Sequence, residues 1–103
     1  MRAMTNAEID GVLRGEPEWK LEGGKLVRDW MFADFVRAIE FVNRIAVLAE
    51  EAGHHPDIDI RYNRVRLGLV SHDAGGITER DARMATRISK EFGSTTDQSA
   101  VEG

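Results

Sequence analysis

The chain has 103 residues, 42% of them hydrophobic and 31% charged, which is enough for one modest core and too little for two. It has no cysteine, so a disulfide framework, a thiolate metal cluster and a cysteine nucleophile are all excluded. Eighteen acidic against fourteen basic residues give a net charge of −4 and a pI near 5.3, the wrong sign for a protein whose affinity comes from neutralising phosphates.

No direct nucleic-acid partner is therefore expected. No run approaches the ~18–20 apolar residues that span a bilayer, and no long apolar stretch follows Arg2. We expect a cytoplasmic protein with no membrane partner and no export signal.

In chain order, Thr5 and Glu8 have capping-box spacing, and Ile9, Val12 and Leu13 follow at helical intervals, which predicts a short helix over 5–14. Two alternating runs, from Trp19 to Glu22 and from Lys25 to Phe32, flank Gly23-Gly24, a pair that permits the positive φ of a tight hairpin. Asp34 is placed to cap a long helix in which Phe35, Ala38, Ile39, Val42, Ile45, Ala46 and Ala49 recur at helical spacing until Gly53, a natural terminator. His54-His55-Pro56 then forces a bend. Ile58, Ile60 and Tyr62, and then Val65, Leu67 and Leu69, alternate with polar residues across Asn63-Arg64, giving a second hairpin. After Gly75-Gly76, Thr78 caps a last helix with Asp81 at its third position and Ala82, Ala85, Ile88 and Phe92 as its buried stripe.

The fold class read from this order is α+β: two layers, an antiparallel four-stranded sheet with three helices on one face, in the order α-β-β-α-β-β-α. Residues 1–93 are expected to form one domain and 94–103 a disordered tail.

The three histidines, His54, His55 and His72, lie in the second half of the chain. With Asn63 and Arg64 as turn residues, Tyr62 pairs with Val65 and the register sets His72 opposite His55, where opposed Cβ atoms lie ~4.5–5.5 Å apart; another turn length slips the register by a residue or two and still leaves His72 beside the His54-His55-Pro56 bend. Glu50 in the last turn of the long helix and Asp81 in the first turn of the last one lie within reach of the cluster. Imidazole alone titrates near neutrality, so such a cluster can hold both a proton donor and a proton acceptor at pH 7. Three histidines also match catalytic zinc in number. Adjacent His54 and His55 would then have to turn both rings to one ion, and helical ligand spacing is missing, so zinc is the lesser alternative. Blander roles compete for the other residues: a capping acid at Asp81, a solvated Glu50, a packed Tyr62, and core or interface positions for Trp19, Trp30, Phe32 and Phe35. Arg61, Arg64 and Arg66 read as a solvated strand face.

The pattern Glu50, three residues, His54-His55-Pro56, five residues, Tyr62, nine residues, His72, eight residues, Asp81 resembles the pterin-4a-carbinolamine dehydratase family, also known as the dimerisation cofactor of a homeodomain transcription factor. Phe32-Ala33-Asp34-Phe35, Tyr62-Asn63-Arg64-Val65 and His72-Asp73-Ala74-Gly75-Gly76-Ile77-Thr78 extend the likeness, which runs from about Thr5 to Phe92.

The resemblance implies a dehydratase that removes water from 4a-hydroxytetrahydrobiopterin to give quinonoid dihydropterin, recycling the cofactor of aromatic amino acid hydroxylases. It implies His54 and His72 as the proton-transfer residues, and His55, Pro56, Asp81 and Glu50 as the substrate-binding set, with the two carboxylates orienting imidazoles. It implies no metal, no cofactor beyond the pterin substrate, and a homodimer or homotetramer functionally linked to a hydroxylase. Many relatives carry tryptophan where this chain has Ile58, which alters the pocket rim. The competing reading is a non-enzymatic assembly or dimerisation factor on the same fold, since some proteins resembling it act on transcription factors or assist a carbon-fixing enzyme.

Overall fold

A computed structural model of the chain describes residues 1–93; the tail expected at 94–103 lies outside the described residues. Each helix begins where a side chain can satisfy its free amides. Helix α1 (Asn6–Gly15) opens on Thr5, whose hydroxyl accepts the Glu8 amide while the Glu8 carboxylate accepts the Thr5 amide. Arg2 hydrogen-bonds the same carboxylate and, as the largest cause, draws its pKa down to about 2. Helix α2 (Phe35–Ala52) starts on Asp34, which accepts the Arg37 amide at 2.9 Å. Helix α3 (Glu79–Phe92) starts on the Thr78–Asp81 capping box.

Strands β1 (Lys20–Glu22) and β2 (Lys25–Met31) are joined by Gly23 and Gly24 at φ 59 and 79, the left-handed region open to glycine at little cost. Strands β3 (Asp57–Arg61) and β4 (Arg64–Leu69) form the second hairpin, and a 3-10 turn over His72–Ala74 leads towards α3. All pairings are antiparallel and the sheet order is β1-β2-β4-β3. The expected α+β order is the one observed.

Alternation sends Leu26, Trp30, Val65, Leu67 and Leu69 into the helix layer, where each is at most 1% exposed. There an aromatic group forms: Phe41 lies 4.8 Å from Trp30, 5.0 Å from Phe32 and 5.1 Å from Phe92, centroid to centroid. Arg28 is buried in the same layer. Its guanidinium sits 4.4 Å over the Trp30 ring and donates to the Gly93 carbonyl at 2.8 Å, and burial lowers its pKa from the ordinary value. On the opposite sheet face Arg66 grips both oxygens of Asp29, at 2.8 and 3.0 Å, and reaches Glu22 at 2.6 Å.

Three expectations are corrected. The second hairpin turns on Tyr62 and Asn63, not Asn63 and Arg64, because Arg61 pairs with Arg64. Tyr62 adopts φ 54, a strained conformation for a side chain of its size, while Asn63 ties the turn to Phe32 by donating its amide to that residue's carbonyl and accepting its N–H. The buried face of α2 is Ala38, Phe41, Ile45, Leu48 and Ala49, with Phe35 and Ala46 exposed and Ile39 and Val42 only partly covered; the helix is apolar over so much of its circumference that periodicity alone leaves its phase open. On α3, Met84 is buried where Ala82 is only half-buried.

Ile45 is wholly buried, so Ile45→Ala is expected to destabilise by about 2–5 kcal/mol in urea unfolding, and a cost under about 1 kcal/mol would place it outside the core. Asp29 is held below the usual carboxylate range, chiefly by hydrogen bonds from Arg66. It therefore adds stability above its unfolded pKa of ~3.9 and loses it as pH falls through the lower folded value. Asp29→Asn is expected to lower Tm at pH 7 by no more than about 5 °C, since the pair is partly exposed, and to lower it by less at about pH 3, where part of the contribution is lost. Thermal melts at the two pH values check this; an equal difference at both would contradict it.

Candidate active site

Helix α2 ends in a motif that aims the residues after it. Gly53 takes φ 65, its N–H reaches the Glu50 carbonyl at 3.3 Å and the His54 N–H reaches the Ala49 carbonyl at 3.2 Å, the two bonds of a Schellman termination. His54 is thereby fixed directly against the helix end, and Pro56 bars any return to helix before β3. The His54 side chain is 12% exposed and its Nε2 lies 2.5 Å from Asp81 Oδ1.

Asp81 has no exposed surface. A buried carboxylate is tolerated only when its oxygens are satisfied, and Asp81 Oδ2 accepts the Thr78 amide at 2.9 Å and the Ser71 hydroxyl at 2.8 Å. Ser71 Oγ is also 2.8 Å from Thr78 Oγ1. A second imidazole–carboxylate pair, His55 Nε2 with Glu50 Oε2 at 2.5 Å, sits beside the first but in the open, 62% and 77% exposed.

His72 is exposed, at the start of the 3-10 turn. Ser71 and Gly76 exchange backbone hydrogen bonds at 3.0 and 3.3 Å, closing the loop that carries it. Ser71 on one side of His72 binds Asp81, and Asp73 on the other binds Arg80 Nη2 at 2.5 Å. That bond is the main reason the Asp73 pKa lies below its ordinary value. Both neighbours of His72 are thus tied to the first turn of α3.

Of the expected constellation, the structure joins His54 to Asp81 and His55 to Glu50. His72 is not set opposite His55, because the ladder ends at Leu69 and the true register is shifted; among the described residues its ring hydrogen-bonds neither other histidine. The rings of His54 and His55 turn to different carboxylates, and no group of three or more His, Asp or Glu side chains among the described residues is arranged to hold a metal ion. Pro56, half-buried, occupies the bend.

His54 opens onto a cleft of about 270 Å³ lined also by Ala52, Arg80, Arg83, Met84 and Arg87. Ser71 and Arg80 were not legible as site residues: the Thr78–Asp81 spacing signalled a cap, but nothing local marks Ser71 as a partner of Asp81.

A family model described as pterin 4 alpha carbinolamine dehydratase matches residues 2–91. A curated relative from Chloroflexus aurantiacus, provisionally named pterin-4-alpha-carbinolamine dehydratase, is 53% identical over 93 residues, 90% of this chain and 100% of that one. One from Acidobacterium capsulatum with the same provisional name is 56% identical over 88 residues, 85% and 96% of the two chains. A crystal structure of a transcriptional coactivator/pterin dehydratase from Brucella melitensis superposes with TM-score 0.79 at 33% identity, covering 86% of this chain and 97% of that one. A pterin dehydratase-like protein described as a RuBisCO assembly factor in the alpha-carboxysome gives TM-score 0.60 at 25% identity, covering 74% and 90%. The chain belongs to the pterin 4 alpha carbinolamine dehydratase family.

Proposed function

We propose that this protein dehydrates 4a-hydroxytetrahydropterins to quinonoid dihydropterins by histidine acid/base catalysis. The observation that carries the reading is the buried Asp81 carboxylate held on His54 at the mouth of a cleft, in a chain of this family. The reaction breaks the C4a–O and N5–H bonds and forms the C4a–N5 double bond. The N5 proton goes to a base, and the departing hydroxide takes a proton from an acid and leaves as water.

Two groups able to exchange protons near neutrality are required. His54 and His72 are assigned those transfers, and His55 and Pro56 are assigned to hold the pterin. Asp81 and Glu50 orient the imidazoles they touch and complete the substrate-binding set. No metal or further cofactor takes part. The pterin is the substrate, supplied by an aromatic amino acid hydroxylase in the cytoplasm. The exposed Val36 and Val47 on α2 support a homo-oligomer.

The competing reading is a partner-binding assembly factor on the same fold, which draws on the description of one structural neighbour. The two imidazole–carboxylate pairs, His54–Asp81 and His55–Glu50, favour the enzyme.

Stopped-flow ultraviolet measurement of freshly generated 4a-hydroxytetrahydropterin is expected to show acceleration by the wild type. His54→Ala and His72→Ala should each lose about 10²-fold or more in kcat, whereas His55→Ala should chiefly raise KM. A chelator should leave the rate unchanged. Full activity in both kcat variants would defeat the assignment, and a wild type no faster than the spontaneous reaction would return the assembly reading.

A further inference from the structure

A neutral imidazole carries its proton on one of two nitrogens, and the hydrogens buried behind Asp81 decide which one in His54. Serine has a single hydroxyl proton. Ser71 gives it to Asp81 Oδ2 at 2.8 Å, so the 2.8 Å contact between Ser71 Oγ and Thr78 Oγ1 is donated by Thr78. Thr78 Oγ1 in turn accepts the Arg80 backbone N–H at 3.2 Å. Oδ2 also receives the Thr78 N–H at 2.9 Å. Every hydrogen in the chain runs towards Oδ2, and donors converging on a carboxylate favour its charged form, which accepts at both oxygens and has no proton to offer. Its Oδ1, 2.5 Å from His54 Nε2, therefore faces a donor, and the free lone pair of the ring is on Nδ1.

We infer that Ser71, backed by Thr78, is a positioning residue that holds Asp81 as an ionised acceptor and so locks His54 in its Nε2–H tautomer. His54 Nδ1 is then the atom that takes the N5 proton of the substrate. The catalytic half rests on the dehydratase reading; the tautomer does not. Ser71 is 1% exposed, so its loss leaves Oδ2 with one donor and the Thr78 hydroxyl without its acceptor in a place that favours neither. The carboxylate is then free to rotate, and the hold on Nε2–H weakens.

Long-range nitrogen–proton correlation spectra of the full chain at about pH 8, where imidazole is ordinarily neutral, report the tautomer directly, with His54→Gln giving the assignment. The wild type is expected to show Nε2–H alone. In Ser71→Ala the Nδ1–H form should become detectable, and kcat should fall about 10- to 100-fold with KM little changed; Ser71→Thr should restore both. Where Ser71→Ala does not fold, Ser71→Cys keeps the volume with a poor donor and is read in the same way. A protonated Nδ1 in the wild type, or an Ala or Cys variant with unchanged tautomer and unchanged kcat, overturns the inference. A tautomer change in a variant of a protein without dehydratase activity supports the positioning role and overturns only the reading of the reaction.

Discussion

The carboxylate of Asp81 is the constraint from which the arrangement of this molecule follows. It is wholly buried, and a charge in that position persists only when its oxygens are satisfied by donors in good geometry. Those donors come from separate parts of the chain: the amide of Thr78 at the start of α3, the hydroxyl of Ser71 after β4, and the ring of His54 past the end of α2. Removing one partner of such a group generally costs about 3–5 kcal/mol, because an uncompensated charge stays behind. The contact that orients the imidazole is therefore also one that binds α3 to the sheet and to α2. Stability and site geometry cannot be adjusted separately here.

Helix α3 is held electrostatically at both ends. A carboxylate sits in its first turn and the buried guanidinium of Arg28 donates to the Gly93 carbonyl just past its last turn, the signs that complement a helix dipole. Between them Ile88 and Phe92 pack into the core, and Trp19 and Trp30 donate their indole N–H groups to Ser89 and to the Phe92 carbonyl, at 2.9 and 3.4 Å. A helix fixed in this way along its length is a rigid mount. Ser71 and Asp73, which flank His72, are both fastened to its first turn, so an exposed imidazole on a short loop inherits some of the helix's order.

Much of this was legible in the chain itself, for reasons that are local. Thr5–Glu8, Asp34 and Thr78–Asp81 are capping patterns whose chemistry spans at most four residues, and Gly23-Gly24 and Gly53 mark turns that only small residues enter easily. The spacing from Glu50 to Asp81 carried the family. What escaped was tertiary. A tyrosine at positive φ moved the second hairpin from Asn63-Arg64 to Tyr62-Asn63, and it is held there by bonds to Phe32 that no propensity encodes. The phase of α2 depended on which apolar side met the sheet. Ser71 gained its role only because the Ser71–Gly76 bridge folds it back towards α3.

Thr78 illustrates how a site narrows the residues a position will tolerate. As a helix cap alone it is interchangeable with serine, asparagine or aspartate, all of which offer an oxygen to the first-turn amides. Here its Oγ1 must accept the Arg80 N–H while sharing a proton with Ser71 Oγ. Aspartate has no such proton and would set a second negative charge beside Asp81; asparagine presents its donor and acceptor on different atoms. The alphabet at this cap contracts to the two hydroxyl residues, whereas Thr5 and Asp34, which cap helices away from the cleft, remain open to the wider set.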